Sequence, residues 1–157
     1  MEHPITHSKG DFLLFTACNV RLGDYRGVTQ IKYIMNITEL IRNNQTDQLK
    51  EAIKANPEIV NQPDERGFTP LILATYLNQK EIAEVLIEEG ANINYQDKMV
   101  GNTALMGVCF KGSAELAKML LEKGANVSLK NSKGETALDF AKNGGYEEIV
   151  GMLASKV

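Results

Sequence analysis

Few side chains in this sequence are of a kind that does chemistry, and those few stand apart. Both histidines, His3 and His7, fall within the first ten residues. Met1-Glu2-His3 has the order of an amino-terminal copper site, with the free amine, two backbone amides and the imidazole in a square plane. A solvated tail is the simpler reading of the same residues. With no histidine after His7, neither a Ser-His-Asp nor a Cys-His set can be assembled from residues 35–157. Cys18 and Cys109 share no metal-like or redox-like spacing, and Cys109 sits among small residues in Gly107-Val108-Cys109, where packing is its role. The acidic pairs Glu88-Glu89 and Glu147-Glu148 offer general acid/base groups in principle, but each lies in a charged stretch that reads as a solvated helix face. Gly144-Gly145 lacks the lysine and the strand context of a phosphate-binding loop. The expectation is a protein that is not an enzyme, with no catalytic residue, metal or cofactor. A metal-binding or enzymatic role through the amino-terminal tail is the alternative of another class.

Charge and hydropathy narrow the partner. A net charge of −3 with interspersed signs gives no basic field to track a phosphate backbone, so nucleic acid is excluded as a partner. No apolar run approaches the ~18 residues that cross a membrane. Phe15-Thr16-Ala17-Cys18 has a faint likeness to a bacterial lipoprotein cleavage box, but the apolar run Phe12–Ala17 before the cysteine is too short for a signal peptide. The expected location is cytoplasmic.

The elements that must position any site come from a repeat. Asp64 to Gln96 reads DERGFTPLILATYLNQKEIAEVLIEEGANINYQ, Asp97 to Lys130 says nearly the same, and Asn131 to Leu153 begins it again. The three Gly-x-Thr-[Pro/Ala]-Leu boxes put threonines at Thr69, Thr103 and Thr136, 34 and 33 residues apart. A period of this size means stacked units, none stable alone. Each Thr is a good N-cap, and Pro70 suits a first helical position because its missing N–H needs no partner there. Small apolar residues such as Leu71, Leu73 and Ala74 give a first helix, and Ile82, Val85, Leu86 and Ile87 give a second. Gly90 and Gly124 then end the second helices in the left-handed region. The pattern predicts helices over 37–42, 47–55, 70–76, 80–88, 104–110, 114–122, 137–142 and 147–154, with Thr46-Asp47-Gln48 capping the second of these and Asn143-Gly144-Gly145 turning between the last two.

Gly-x-Thr-Pro-Leu followed by x-x-Ala, with Gly-Ala-Asn-Ile-Asn some twenty residues on, resembles the ankyrin repeat over Met35 to about Leu153. The resemblance implies an all-α ankyrin-repeat solenoid of four helix-turn-helix units with short β-turn or hairpin links. It also implies a module that binds another protein through its turn tips and concave helix surface. The chain departs from the family at the histidine of the Thr-Pro-Leu-His box, where it has Ile72, Met106 and Asp139. Apolar packing is expected to substitute at the first two. The stretches Arg66–Ala74 and Gly101–Gly112 also look like those of small bacterial ankyrin proteins, some encoded beside catalases. That narrower likeness implies an accessory factor in peroxide tolerance, placed in the periplasm.

The expected organisation is an extension over 1–34, an N-terminal cap repeat over 35–63, full repeats over 64–96 and 97–130, and a C-terminal cap repeat over 131–157. Met35-Asn36-Ile37-Thr38 reads as a natural start, so one expectation is that residues 1–34 arise from an upstream start codon and are poorly ordered. The other docks the apolar knot Phe12–Phe15 on the first repeat. The link from Tyr95 to Gly101 carries one residue more than its fellows, which reads either as a tolerated loop insertion or as a partner-contacting apolar tip at Met99 and Val100. Residues not needed for stacking define the expected partner-binding surface of a monomer: Phe68, Tyr76 and Leu77 in one unit, Asn102, Phe110 and Lys111 in the next, and Glu65, Arg66, Lys98 and Met99 at the tips. Phe68, Tyr76 and Phe110 packing together as a brace between units is the plainer reading of the aromatics.

Overall fold

The computed structural model describes residues 37–157. The copper tail, the lipoprotein box at Cys18, the knot at Phe12–Phe15 and the start at Met35 lie outside the described residues. Within them run α1 (residues 37–42), α2 (Thr46–Ala55), a 3-10 turn (Pro57–Asn61), α3 (Pro70–Tyr76), α4 (Lys80–Glu88), α5 (Ala104–Lys111), α6 (Ala114–Glu122), α7 (Ala137–Gly144) and α8 (Glu147–Ala154).

Each threonine of the repeated box caps a first helix. Thr69, Thr103 and Thr136 are extended, and each Oγ1 accepts the N–H three residues on, at 3.2 to 3.4 Å. These hydroxyls satisfy donors that the first turn of a helix leaves without partners. The first helices end alike, on left-handed residues at Asn44, Asn78, Gly112 and Gly145. After each, the next N–H reaches back to a carbonyl of the last turn, as Gln79 does to Ala74 at 2.9 Å. The chain therefore reverses sharply and the second helix lies antiparallel to the first. The first helices stack α3 on α5 on α7, while the second helices pack α2 on α4 and α6 on α8. Leu71, Ile82, Leu86, Leu105, Leu116, Leu120 and Ile149 are buried between the two layers in one continuous core that reaches Ile37 and Ile41.

Three details differ from the pattern read in the sequence. Thr46 lies inside α2 and caps nothing; Gln45 precedes the helix and makes no side-chain cap bond. α5 runs one residue further, to Lys111, and α7 runs two further, to Gly144, because the left-handed stop falls at Gly112 and Gly145. The links hold no strand among the described residues. Each is a turn wrapped around one side chain: Asp64 Oδ1 accepts the N–H of Arg66 and Phe68, Asp97 accepts those of Met99, Val100 and Asn102, and Asn131 Oδ1 accepts those of Lys133 and Glu135. Of the residues replacing the box histidine, Met106 lies in the core and Ile72, half-buried, packs against it, the apolar packing expected of both. Asn61 does in the first unit what Asn94 does in the second: its Oδ1 accepts the Asn92 N–H just as Asn94 Oδ1 accepts that of Asn126.

Candidate functional site

The concave side of the first helices and the links together enclose an open groove of about 490 Å³. Seven of the ten residues singled out in the sequence line it: Arg66, Phe68, Tyr76, Leu77, Asn102, Phe110 and Lys111. Glu65 instead borders a smaller hollow of about 260 Å³, which shares Phe68 with the groove. Lys98 and Met99 are exposed on the link and do not line the groove. The structure adds Arg42, Ile72, Met106 and Phe140 to its walls.

Register explains why these side chains meet. Counting back two positions from the left-handed residue that ends a first helix gives Arg42, Tyr76 and Phe110 in the first three units, and Asn143 in the fourth. Stacked units place the three in a row, where the last turn of each helix faces the concavity. The core is already filled by Leu71, Ala74, Leu105 and Cys109, so the row is left outside it. Tyr76 is 60% exposed and Phe110 68%. Phe68 is half-buried.

The aromatics do not pack on one another as a brace of Phe68, Tyr76 and Phe110 would require. Phe110 meets Phe140 of the following unit edge to face, with ring centroids 6.2 Å apart and planes at 88°. Tyr76 is covered instead by Lys111, whose Nζ lies 3.7 Å from the ring centroid and also donates to the Tyr76 carbonyl. Both contacts run between units, yet each leaves most of its ring in solvent. Phe140 escaped notice in the sequence because it falls in the terminal unit, and Arg42 because the first unit has no box to set its frame. The common spacing from the residue that ends each first helix was the available signal for Arg42.

Reactive groups are few in the described residues. The Cys109 thiol is buried, and desolvation pushes its pKa up to about 12, far from a thiolate nucleophile at neutral pH. Glu88 is exposed with Lys123 at 3.8 Å, and Glu147 and Glu148 are exposed on α8. Lys80 Nζ meets Glu115 at 2.7 Å between units; this hydrogen bond raises the lysine pKa and lowers that of the carboxyl. No group of three His, Cys, Asp or Glu able to hold a metal occurs among the described residues.

Comparison with known families matches the description "Ankyrin repeats (3 copies)" at residues 6–97 and 92–157. A human protein, DNA-binding protein RFXANK, is 43% identical over 58 residues, 37% of this chain and 22% of that protein. Ankyrin repeat and SAM domain-containing protein 6 of Rattus norvegicus is 38% identical over 109 residues, covering 68% of this chain and 12% of that protein. Phosphocholine transferase AnkX of Legionella pneumophila is 29% identical over 91 residues, 58% of this chain and 9% of that protein. The chain thus matches less than a quarter of the length of each of these relatives.

Proposed function

This chain belongs to the ankyrin-repeat family, and on that premise we propose that it is a non-catalytic module that grips another protein in the concave groove. Ankyrin repeats mediate protein–protein interaction. The observation that carries the proposal is the exposure of Tyr76 and Phe110 in one groove beside a core that is already packed. Aromatic side chains with charged neighbours are the usual anchors of protein interfaces, and a ring held by one edge contact or one cation is ordered before the partner arrives. The link tips, with Glu65, Lys98 and Met99, extend the surface beyond the groove. The activities in the relatives' names stay with those proteins, of which this chain matches only a small part.

The test pairs stability with affinity. The full chain captures its partner from native cells, the partner is identified and purified, and Tyr76→Ala and Phe110→Ala are measured against it. Each truncation is expected to cost about 2 kcal/mol of binding, roughly thirtyfold in Kd. The melting temperature should shift by only a few degrees, since a solvent-facing cation–π contact or edge-to-face contact contributes about 1 kcal/mol. A large loss of stability with unaltered affinity would show that the rings only brace the stack.

A further inference from the structure

We infer that the occupant of the groove is an acidic peptide segment of the partner, in which carboxylates lie beside an aliphatic or aromatic side chain. This rests on the reading just proposed and adds a charge and a direction to it.

Five charged residues line the groove: Arg42, Asp64, Arg66, Asp97 and Lys111. The two carboxylates are occupied by their own turns. Asp97 is 6% exposed, with Oδ1 accepting from Met99 and Val100 and Oδ2 from Asn102. Asp64 Oδ1 takes two backbone N–H groups, and its Oδ2 lies 3.9 Å from Arg66 Nε. The cations are differently placed. The Arg66 side chain is 64% exposed, and so long and wet a pair with Asp64 neutralises little of its charge. Arg42 is exposed, and it makes no ion pair among the described residues. Lys111 is held by the Tyr76 ring and carbonyl, which fixes its ammonium at the wall of the groove. A chain of net charge −3 therefore lines this aromatic concavity with three cations against two turn-bound carboxylates, and it is the cations that reach toward an occupant.

The row has an order as well. An occupant laid along it meets Arg42 and Arg66 at the first units, Tyr76 with Lys111 next, and Phe110 against Phe140 last. Carboxylates suit the first end, where they would pair with guanidinium forks. An apolar side chain suits the other, where Phe110 keeps most of its ring exposed beside Phe140. A peptide with both features satisfies the whole row, whereas a basic or uncharged one leaves cations facing it.

An array of extended peptides tests this, with acidic, glutamine or lysine residues set beside Leu or Phe and the full chain as the ligand in solution. The acidic peptides should be retained best, with retention weakening between about 50 mM and about 300 mM NaCl. Arg42→Gln with Arg66→Gln should weaken the acidic peptides about tenfold and leave the glutamine peptides unchanged. Equal retention of all three sets, or of none, overturns the inference. If charge is ignored but Tyr76→Ala and Phe110→Ala still abolish retention, the acidic occupant is wrong and the binding groove stands. Retention indifferent to those two variants instead removes the groove reading itself. An oligothymidylate that competes as well as the acidic peptides would show that charge alone is read, and a dimer in sedimentation that Arg42→Gln dissolves would make a second copy the occupant. Either result also overturns it.

Discussion

Asp139 stands where the first two boxes have Ile72 and Met106, and it solves with charge what Met106 solves with a thioether. Its Oδ2 accepts both the N–H and the hydroxyl of Thr136 at 2.8 Å, while Thr136 Oγ1 accepts the Asp139 N–H. The backbone bond, then the hydroxyl bond, hold its pKa below the usual aspartate value, with attraction from Lys142 and Lys130 adding to them. A carboxyl depressed in the folded state stabilises most fully above about pH 4, where an unstructured aspartate is ionised. That contribution is lost as pH falls through the lower folded value. Asp139→Asn should therefore melt below the native chain at neutral pH and approach it as acid protonates the folded carboxyl. Thermal melts across that range check this, and a gap constant with pH would mean that the carboxylate's charge is not what matters.

At the scale of elements, the reversal after each first helix is the most demanding step. Gly112 has φ +74, and a Cβ there would lie 2.3 Å from Cε1 of Tyr146, which leans across from the next unit. Gly145 has φ +71 with nothing within 4 Å of a built Cβ. Gly145→Ala should therefore cost only the left-handed backbone penalty, about 1 to 2 kcal/mol. Gly112→Ala must add displacement of the ring, about 1 kcal/mol or more beyond it. Chemical denaturation of the two variants gives the difference, and equal losses would mean that Tyr146 swings aside freely. The same feature explains what could be read from sequence. Helices marked by the Ile/Val/Leu stripe, and the one opened by Thr69-Pro70, were legible to the residue over 70–76, 80–88, 114–122 and 147–154. α7 overran its expected end because Asn143 and Gly144 look like a turn, although Gly145 and the Tyr146 ring make it. The positions of Tyr76 and Phe110 in the groove were legible because they lie outside the core period. Lys111 was legible there too, but not that it covers Tyr76, nor that Phe140 meets Phe110, because cross-unit contacts depend on stacking that a single unit does not encode.

In the whole molecule, stability is a sum of units and of the seams between them, and these seams are not alike. Between the first two links, Lys98 Cβ lies 2.9 Å from where a Cβ at Gly67 would stand, so the turns touch by close packing. Between the next two, hydrogen bonds cross: Ser132 N–H to the Val100 carbonyl at 2.9 Å, Gln96 Nε2 to the Lys130 carbonyl at 2.9 Å, and Asn131 Nδ2 to Asn102 Oδ1 at 3.0 Å. The residue that makes this repeat 34 long is thus part of a seam, since the longer turn brings the Val100 carbonyl to the next unit. Loop length alone predicts that shortening it is harmless, because closure entropy changes little with one residue. The seam predicts otherwise. Deleting Met99, which is 67% exposed and buries little, should remove the Ser132 bond and displace Asn102 from Asn131, at a cost of about 1 to 2 kcal/mol. Met99→Ala, which keeps the backbone, should cost almost nothing, as most exposed substitutions do. Denaturant melts of the two decide between a passive insertion and a structural one: equal stability would make the extra residue passive, and a loss confined to the deletion would place it in the seam that joins the last two units.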